Sequence, residues 1–250
     1  MRPPLSAVLI TQDAARSLDA VLSALTFCDE ILIVDSGSSD ATLAIARAHG
    51  ARIITSHWRG FGRQKQFAIE QAQHDWVLCV DADEFVSAPL RASILAALAT
   101  PNDKAAWRMA RCNRFLGRWL RHGEGYPDWC LRLFDRRRAH WSDDAVHEKV
   151  ICAGPIGTLH GDLLHDSVES LEHYLAKQNR YSTLAAEHAF AAGQRTHALT
   201  LLLSPLLRFV KFYFLRLGFL DGLPGFIHIA IGCGTSFAKH AKLFLLQRAD

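Results

Sequence analysis

The sequence predicts an α/β fold, a mostly parallel sheet flanked by helices, followed by a helical C-terminal region. Three observations carry this. Short, nearly continuous Val/Ile/Leu runs alternate with helical patterns over the first hundred residues, as in parallel sheets covered on both faces. Several of these runs end in a carboxylate, and parallel sheets bind ligands at the carboxyl ends of their strands. Beyond residue 198 the composition turns strongly apolar, with isolated cations.

In chain order, "SAVLIT" (6–11) reads as a strand and 14–26 as a helix. "EILIVD" (30–35) is the second strand, and Ser39-Asp40 is suited to cap a helix running to about His49. "ARIITS" (51–56) is a strand, 63–73 a helix, "WVLCVD" (76–81) a strand and 88–99 a helix. From about 105 to 152, "AAWRMAR", "WCLRLFD" and "HEKVICA" read as strands with interleaved charged and aromatic residues, an α+β second half of the same domain. The expected boundaries are 1–165 for this domain and 166–250 for the helical region.

Length and composition bound the function. Half of the 250 residues are apolar, enough for a substantial core, and a net charge of +3 does not indicate a nucleic-acid binder. The six cysteines form no CxxC pair and fit a reducing compartment. The N-terminal stretch does not read as a secretory signal, so a cytosolic active site is expected. No G-x-G-x-x-G follows the first strand, which argues against a dinucleotide-binding oxidoreductase.

The apolar tail is interrupted by Arg208, Lys211 and Arg216. On a helical wheel these fall within roughly 140° of one another, at about 100° per residue. A cationic stripe opposite Leu, Phe and Tyr is the pattern of a helix lying in a membrane interface. A transmembrane span is the less favoured reading, because the later part of the tail holds Gly222, Gly225, Gly232, Gly234, Pro224 and His228.

Chemistry concentrates at the strand ends. Thr11, Gln12 and Asp13 follow the first strand, Asp35 ends the second, and "DADE" (81–84) follows the fourth. Carboxylates gathered on one rim repel one another unless something cationic or hydrogen-bonding binds them. A divalent cation, Mg²⁺ or Mn²⁺, meets that need with carboxylate oxygens, waters and substrate phosphates. Arg63 and Lys65 in "GFGRQKQ" add positive charge, with Gly60 and Gly62 allowing close backbone approach.

The stretches "VLITQD", "VDSGSSDAT" and "CVDADE" resemble an inverting family 2 glycosyltransferase of the GT-A (Rossmann-like) fold. "DWVLCVDADE", "GFGRQKQFA", "YPDWCLRLFDRR", "VHEKV" and "GFLDGLPGF" resemble the bacterial lipopolysaccharide core β-glucosyltransferase group, over nearly the whole chain. The resemblance implies that Thr11, Gln12, Asp13, Asp35, Arg63, Lys65, Asp81, Ala82 and Asp83 hold the donor. It makes Asp83 the first candidate for direct metal contact, with Asp81 nearer the ribose or sugar and His165 a further candidate ligand. Gln12 and Asp13 depart from the family's usual T-x-N-E, which bears on base recognition. Inversion requires a base for the acceptor hydroxyl. Glu148 is favoured and Asp128 is the alternative. His147, Trp58, Trp119, Tyr126, Trp129, Arg132 and the 136–138 arginines are secondary candidates for ligand or acceptor contacts.

The implied activity is metal-dependent transfer of a hexose, glucose first, from a nucleotide-diphosphate sugar such as UDP-glucose to a lipopolysaccharide inner-core acceptor. The enzyme would sit peripherally on the cytoplasmic face of the inner membrane. A polyprenyl-phosphate or exopolysaccharide/capsule glycosyltransferase, and a non-catalytic nucleotide-sugar-binding protein, are the rival readings.

Overall fold

A computed structural model describes the chain except residues 1, 101, 145–147, 168–169 and 250. It divides into two compact units, one of residues 1–111 with 128–165 and one of 112–127 with 166–250. Residues 112–127, which the sequence reading leaves in the first domain, therefore belong to the second unit.

The first unit opens with β1 (Leu5–Thr11), α1 (Ala15–Ser23), β2 (Glu30–Asp35), α2 (Thr42–Ala48), β3 (Arg52–Thr55), α3 (Phe61–Glu70) and β4 (Trp76–Cys79). β1 pairs in parallel with β2 and β4, and β2 with β3. The four strands expected in this stretch are present within one or two residues of their places. Ser39 does not cap α2. Nor does Asp40, since Ala41 holds the cap position; Asp40 Oδ1 instead accepts the Thr42 N–H at 2.9 Å in the turn leading into the helix.

The chain continues through β5 (Glu84–Val86), α4 (Ala88–Ala99), β6 (Ala106–Phe115), β7 (Arg118–Trp119), β8 (Asp128–Asp135), β9 (Ala139–Trp141), β10 (Val150–Cys152) and β11 (Ile156–His165). The sheet order is β3-β2-β1-β4-β8-β6-β11-β5. β8 runs antiparallel to β4 and to β6, and β11 antiparallel to β5. The sheet is thus mixed, a parallel half continued by antiparallel strands. Its core packs Leu5, Leu9, Leu18, Leu22, Ile33 and Leu78 on one face and Val34, Ile69, Val77 and Phe134 on the other. β9 and β10 form a separate antiparallel pair.

The second unit holds α5 (Leu171–Ala191), α6 (Ala198–Phe209), a π-helical continuation Val210–Leu215, a 3₁₀ turn Gly218–Asp221 and α7 (Gly222–Ala249). α7 runs unbroken through Gly225, Gly232 and Gly234. Pro224 falls in its first turn, where no N–H is needed. Gly232 is a packing contact: a Cβ there would lie 3.1 Å from the Glu124 carboxyl carbon. Arg208 turns inward to Glu124, their side chains 34% and 19% exposed, so it leaves the expected cationic stripe.

Candidate active site

The β1 and β2 ends build the first wall. Asp35 is fully buried and accepts hydrogen bonds from Thr11 Oγ1 at 2.8 Å, the Gly37 N–H at 3.0 Å and the Ser38 N–H at 2.9 Å. Burial pushes its carboxyl up, but these bonds and that of the Ser38 hydroxyl outweigh it and hold the group below the usual carboxylate range. Asp35 and Thr11 thereby shape the turn after β2. Gln12 and Asp13 are exposed at the rim. Asp13 adopts φ 49° and its Oδ1 accepts the Ser39 N–H at 2.7 Å, which joins the loops after β1 and β2.

The "DADE" segment is a tight turn locked by its own ends. The Glu84 N–H donates to the Asp81 carbonyl at 2.9 Å, and the Asp81 N–H donates to Glu84 Oε2 at 3.1 Å. Glu84 is fully buried and its Oε1 accepts from Arg132 at 2.9 Å and from Arg111 at 3.3 Å. The turn also presents the Ala82 carbonyl, which accepts the Ser17 hydroxyl at 2.7 Å.

Asp81 lies between two cations. Arg132 reaches its Oδ2 at 2.6 Å and Lys65 its Oδ1 at 3.0 Å. Burial disfavours its charge, yet Arg132 and Lys65 overcome that and keep the carboxyl far below its ordinary range. Arg132 is itself driven well above its ordinary value: burial opposes its charge, and Asp81 and Glu84 prevail. Arg132 therefore stabilises the carboxylate cluster from within and does not face acceptor phosphates. Its neighbours in the basic run are likewise engaged locally, Arg136 with the Ile69 carbonyl, Arg137 with Asp135 and Arg138 with the Asp103 carbonyl.

Asp83 points elsewhere. Its Oδ2 stands 3.3 Å from His165 Nε2, with side-chain exposures of 37% and 19%. The β5–β11 ladder sets this meeting, since Glu84 and His165 are directly opposed in it. Among the described residues no group of three or more His, Cys, Asp or Glu side chains could hold a metal ion alone. One carboxylate and one imidazole suit Mn²⁺ or Mg²⁺ only as part of a shell completed by diphosphate oxygens and water. The donor set fits an ion that arrives with the nucleotide.

The two base candidates occupy different environments. Glu148, 19% exposed, lies in the connection between β9 and β10 and accepts from Lys65 Nζ at 3.0 Å. Lys65 thus bridges Asp81 and Glu148, and its ammonium lies 4.9 Å from the Trp141 ring centre. It is 7% exposed, not on a solvated helix face. Gly62 makes close approach possible, but to the protein's own backbone: a Cβ there would lie within 3.3 Å of the Asp144 carbonyl and 3.4 Å of the Glu148 Cβ. Arg63 is exposed, 4.0 Å from Asp143. Asp128 opens β8 and is held by Arg111 at 2.6 Å. His147 lies outside the described residues. Trp58 meets Phe61 edge-on, and Trp129 lies under Arg108.

Arg111 and the inward role of Arg132 escaped the sequence reading. The signal available was an arginine in "WCLRLFD", a strand apolar on both faces, where a buried cation demands a carboxylate partner.

A parallel half-sheet with an acidic rim, continued by antiparallel strands that return a histidine to that rim, is the architecture of the GT-A glycosyltransferases. The chain belongs to glycosyl transferase family 2, whose family model matches residues 12–199. It is 32% identical over 248 residues to LpsC of Rhizobium meliloti, a lipopolysaccharide core biosynthesis glycosyltransferase, covering 96% of this chain and 92% of that one. An uncharacterised glycosyltransferase of Rickettsia felis is 30% identical over 260 residues, with 96% and 89% covered. Among solved structures, glucosyl-3-phosphoglycerate synthase of Mycobacterium tuberculosis, crystallised with Mn²⁺, UDP and glucosyl-3-phosphoglycerate, overlaps 45% of this chain and 44% of its own at 23% identity, with a TM-score of 0.38.

Proposed function

We propose that the protein is an inverting hexosyltransferase that moves glucose from UDP-glucose to a lipopolysaccharide inner-core acceptor at the cytoplasmic face of the inner membrane. The observation that carries the reading is the division of labour among the rim carboxylates. Asp81 is neutralised by Lys65 and Arg132, Asp83 meets His165, and Glu148 sits beside Lys65.

Asp83 and His165 would hold the divalent ion, which when bound neutralises charge developing on the departing diphosphate. The loops after β1 and β2, ordered by Asp13 and Asp35, would cradle the nucleoside. Glu148 would accept the acceptor hydroxyl's proton, with the Lys65 ammonium 3.0 Å away holding the carboxylate in place. Asp128 is the second candidate, its carboxylate held by Arg111. The likeness to a lipopolysaccharide core enzyme over nearly the whole chain supports the acceptor class.

A donor screen with isolated lipopolysaccharide core acceptors, with and without Mg²⁺ or Mn²⁺, tests the reading. Metal-dependent release of UDP coupled to glucosylation of the core is expected. Turnover only on polyprenyl phosphate, or none with any donor, would overturn it.

A further inference from the structure

The second unit carries a helix whose polarity is inverted. A helix on a water-soluble surface turns its apolar stripe to the core and its polar face out. α6 does the reverse. Ser204 faces inward to Ser236 of α7, Oγ to Oγ at 2.6 Å, and Arg208 faces inward to Glu124. Leu199, Leu202, Leu206, Leu207, Val210 and Phe214, at helical three- and four-residue spacing, are exposed, with Leu199 and Leu202 each at 66%. The 18 residues Ala198–Leu215 have a mean hydropathy of 1.6 and none is buried.

Leu217 before the 3₁₀ turn, Leu220 within it and Leu223 after it are exposed as well. Phe209 stacks on Tyr213 with ring centres 4.9 Å apart, and Tyr213 meets Phe226 at 5.9 Å. Monomeric proteins in water rarely leave a continuous apolar surface of this kind bare.

Charge selects what covers it. Between 198 and 226 the charged residues are Arg208, Lys211, Arg216 and Asp221. Asp221 is buried, holding the Arg121 and His122 N–H groups at 2.9 and 2.8 Å, and Arg208 is paired inward. The exposed charges are therefore Lys211 and Arg216, both positive. Outward leucines, aromatic rings and exposed cations without an exposed acid complement an anionic lipid surface.

We propose that the outward face of α6, its π-helical continuation and the following turn is a monotopic lipid-insertion surface. Its leucines enter the acyl region, and Lys211 and Arg216 lie at the headgroups. This deepens the functional reading above by naming the element that meets the membrane. It also reverses the expected basis of attachment: apolar insertion holds the protein, and the cations supplement it.

The test is cosedimentation of the purified full chain with vesicles of phosphatidylethanolamine and phosphatidylglycerol, at low salt and at about 1 M NaCl, where charge attraction is screened. The wild type is expected to pellet at both salts. Leu202→Gln/Leu206→Gln/Leu207→Gln is expected to partition at least about 100-fold less, since each fully buried leucine is worth roughly tenfold or more. Lys211→Gln/Arg216→Gln is expected to lose only the salt-sensitive part. Circular dichroism checks that the triple variant is folded. A wild type that stays in the supernatant, or that binds only at low salt, overturns the proposal. So does a self-associated wild type that ignores vesicles and becomes monomeric in the triple variant, since the face would then cover a second copy. UDP release with a delipidated, soluble core oligosaccharide is measured in parallel. Its absence in the wild type counts against the transferase reading and leaves the lipid result standing.

Discussion

Arg132 donates to Glu84 Oε1 at 2.9 Å, and the two side chains are 7% and 0% exposed. The pair lies beneath the "DADE" turn and is what allows three carboxylates in four positions to end a buried strand. Removing one partner of a buried pair leaves an uncompensated charge and costs about 3–5 kcal/mol. Arg132→Met is therefore expected to lower the unfolding free energy from urea titration sharply, while an exposed control, Arg63→Met, leaves it unchanged to within about 0.5 kcal/mol.

Metal and nucleotide should bind as a unit. Because Asp83 and His165 supply too few donors for an ion alone, Mn²⁺ is expected to bind weakly without UDP and tightly with it. Electron paramagnetic resonance of free Mn²⁺ reads this directly. Asp83→Asn and His165→Ala should each weaken the ternary complex, by about 10–100-fold, the usual cost of perturbing a metal site. Tight Mn²⁺ binding without UDP would contradict the site as described.

Turnover separates the two base candidates. Glu148→Gln is expected to lower kcat by about 10²–10⁴-fold, the range of general-base catalysis, with the donor KM little changed. Asp128→Asn should have a smaller effect, expressed through the Arg111 contact. The reverse order in steady-state kinetics would exchange their roles.

Gly62→Ala offers a test that leaves every charged group in place. An added methyl would meet the backbone carbonyls of Ser142 and Asp144 and press on Glu148. Ser142, Asp144 and Glu148 must give way, so kcat is expected to fall at least about tenfold, because small misplacements of a reacting group are costly. A crystal structure of the variant with Glu148 displaced from Lys65 would confirm the cause.

Acid should destabilise the first unit. Burial raises the carboxyls of Glu30, Asp35 and Asp135, but hydrogen bonds, chiefly from Ser6, Ser38 and Arg137 respectively, leave all three below their ordinary values. A folded value below the unfolded one contributes stability above the unfolded value and loses it as pH falls through the folded one. Thermal stability is therefore expected to hold down to about pH 4 and to drop below it, from ordinary values near 3.9 and 4.3. Glu30→Gln, which weakens the contacts to Ser6 and Arg52, should be less stable at pH 7 and show a flatter acid slope.

The parallel strands were legible because runs such as "EILIVD" are apolar on both faces and end in a polar residue at the rim. β11 was not. Its "IGTLHGDLLH" alternates buried and exposed positions, but Gly157 and Gly161 occupy places where larger apolar residues would mark a strand. Gly157 must be small because Trp107 lies against it, a contact from another strand that no local pattern encodes. The acidic residues of the candidate site and Lys65 could be read from the sequence, whereas the pairing of Lys65, Arg111 and Arg132 with those carboxylates could not, since the partners are distant in sequence. Hydropathy marked α6 as apolar, but only packing against α7 and Glu124 fixes which face is outward.

The opposition of Glu84 and His165 in the β5–β11 ladder has a practical bearing on redesign. Asp83 and His165 are eighty-two positions apart in the chain (165 − 83), yet their separation is set by a single rung between two neighbouring strands. Loops between those strands can be lengthened, shortened or exchanged with relatives without moving the pair, provided the rung is kept. A one-residue slip would turn His165 to the opposite face of the sheet and remove it from Asp83 altogether. Chimeras intended to change acceptor preference should therefore place their junctions away from 84–86 and 163–165.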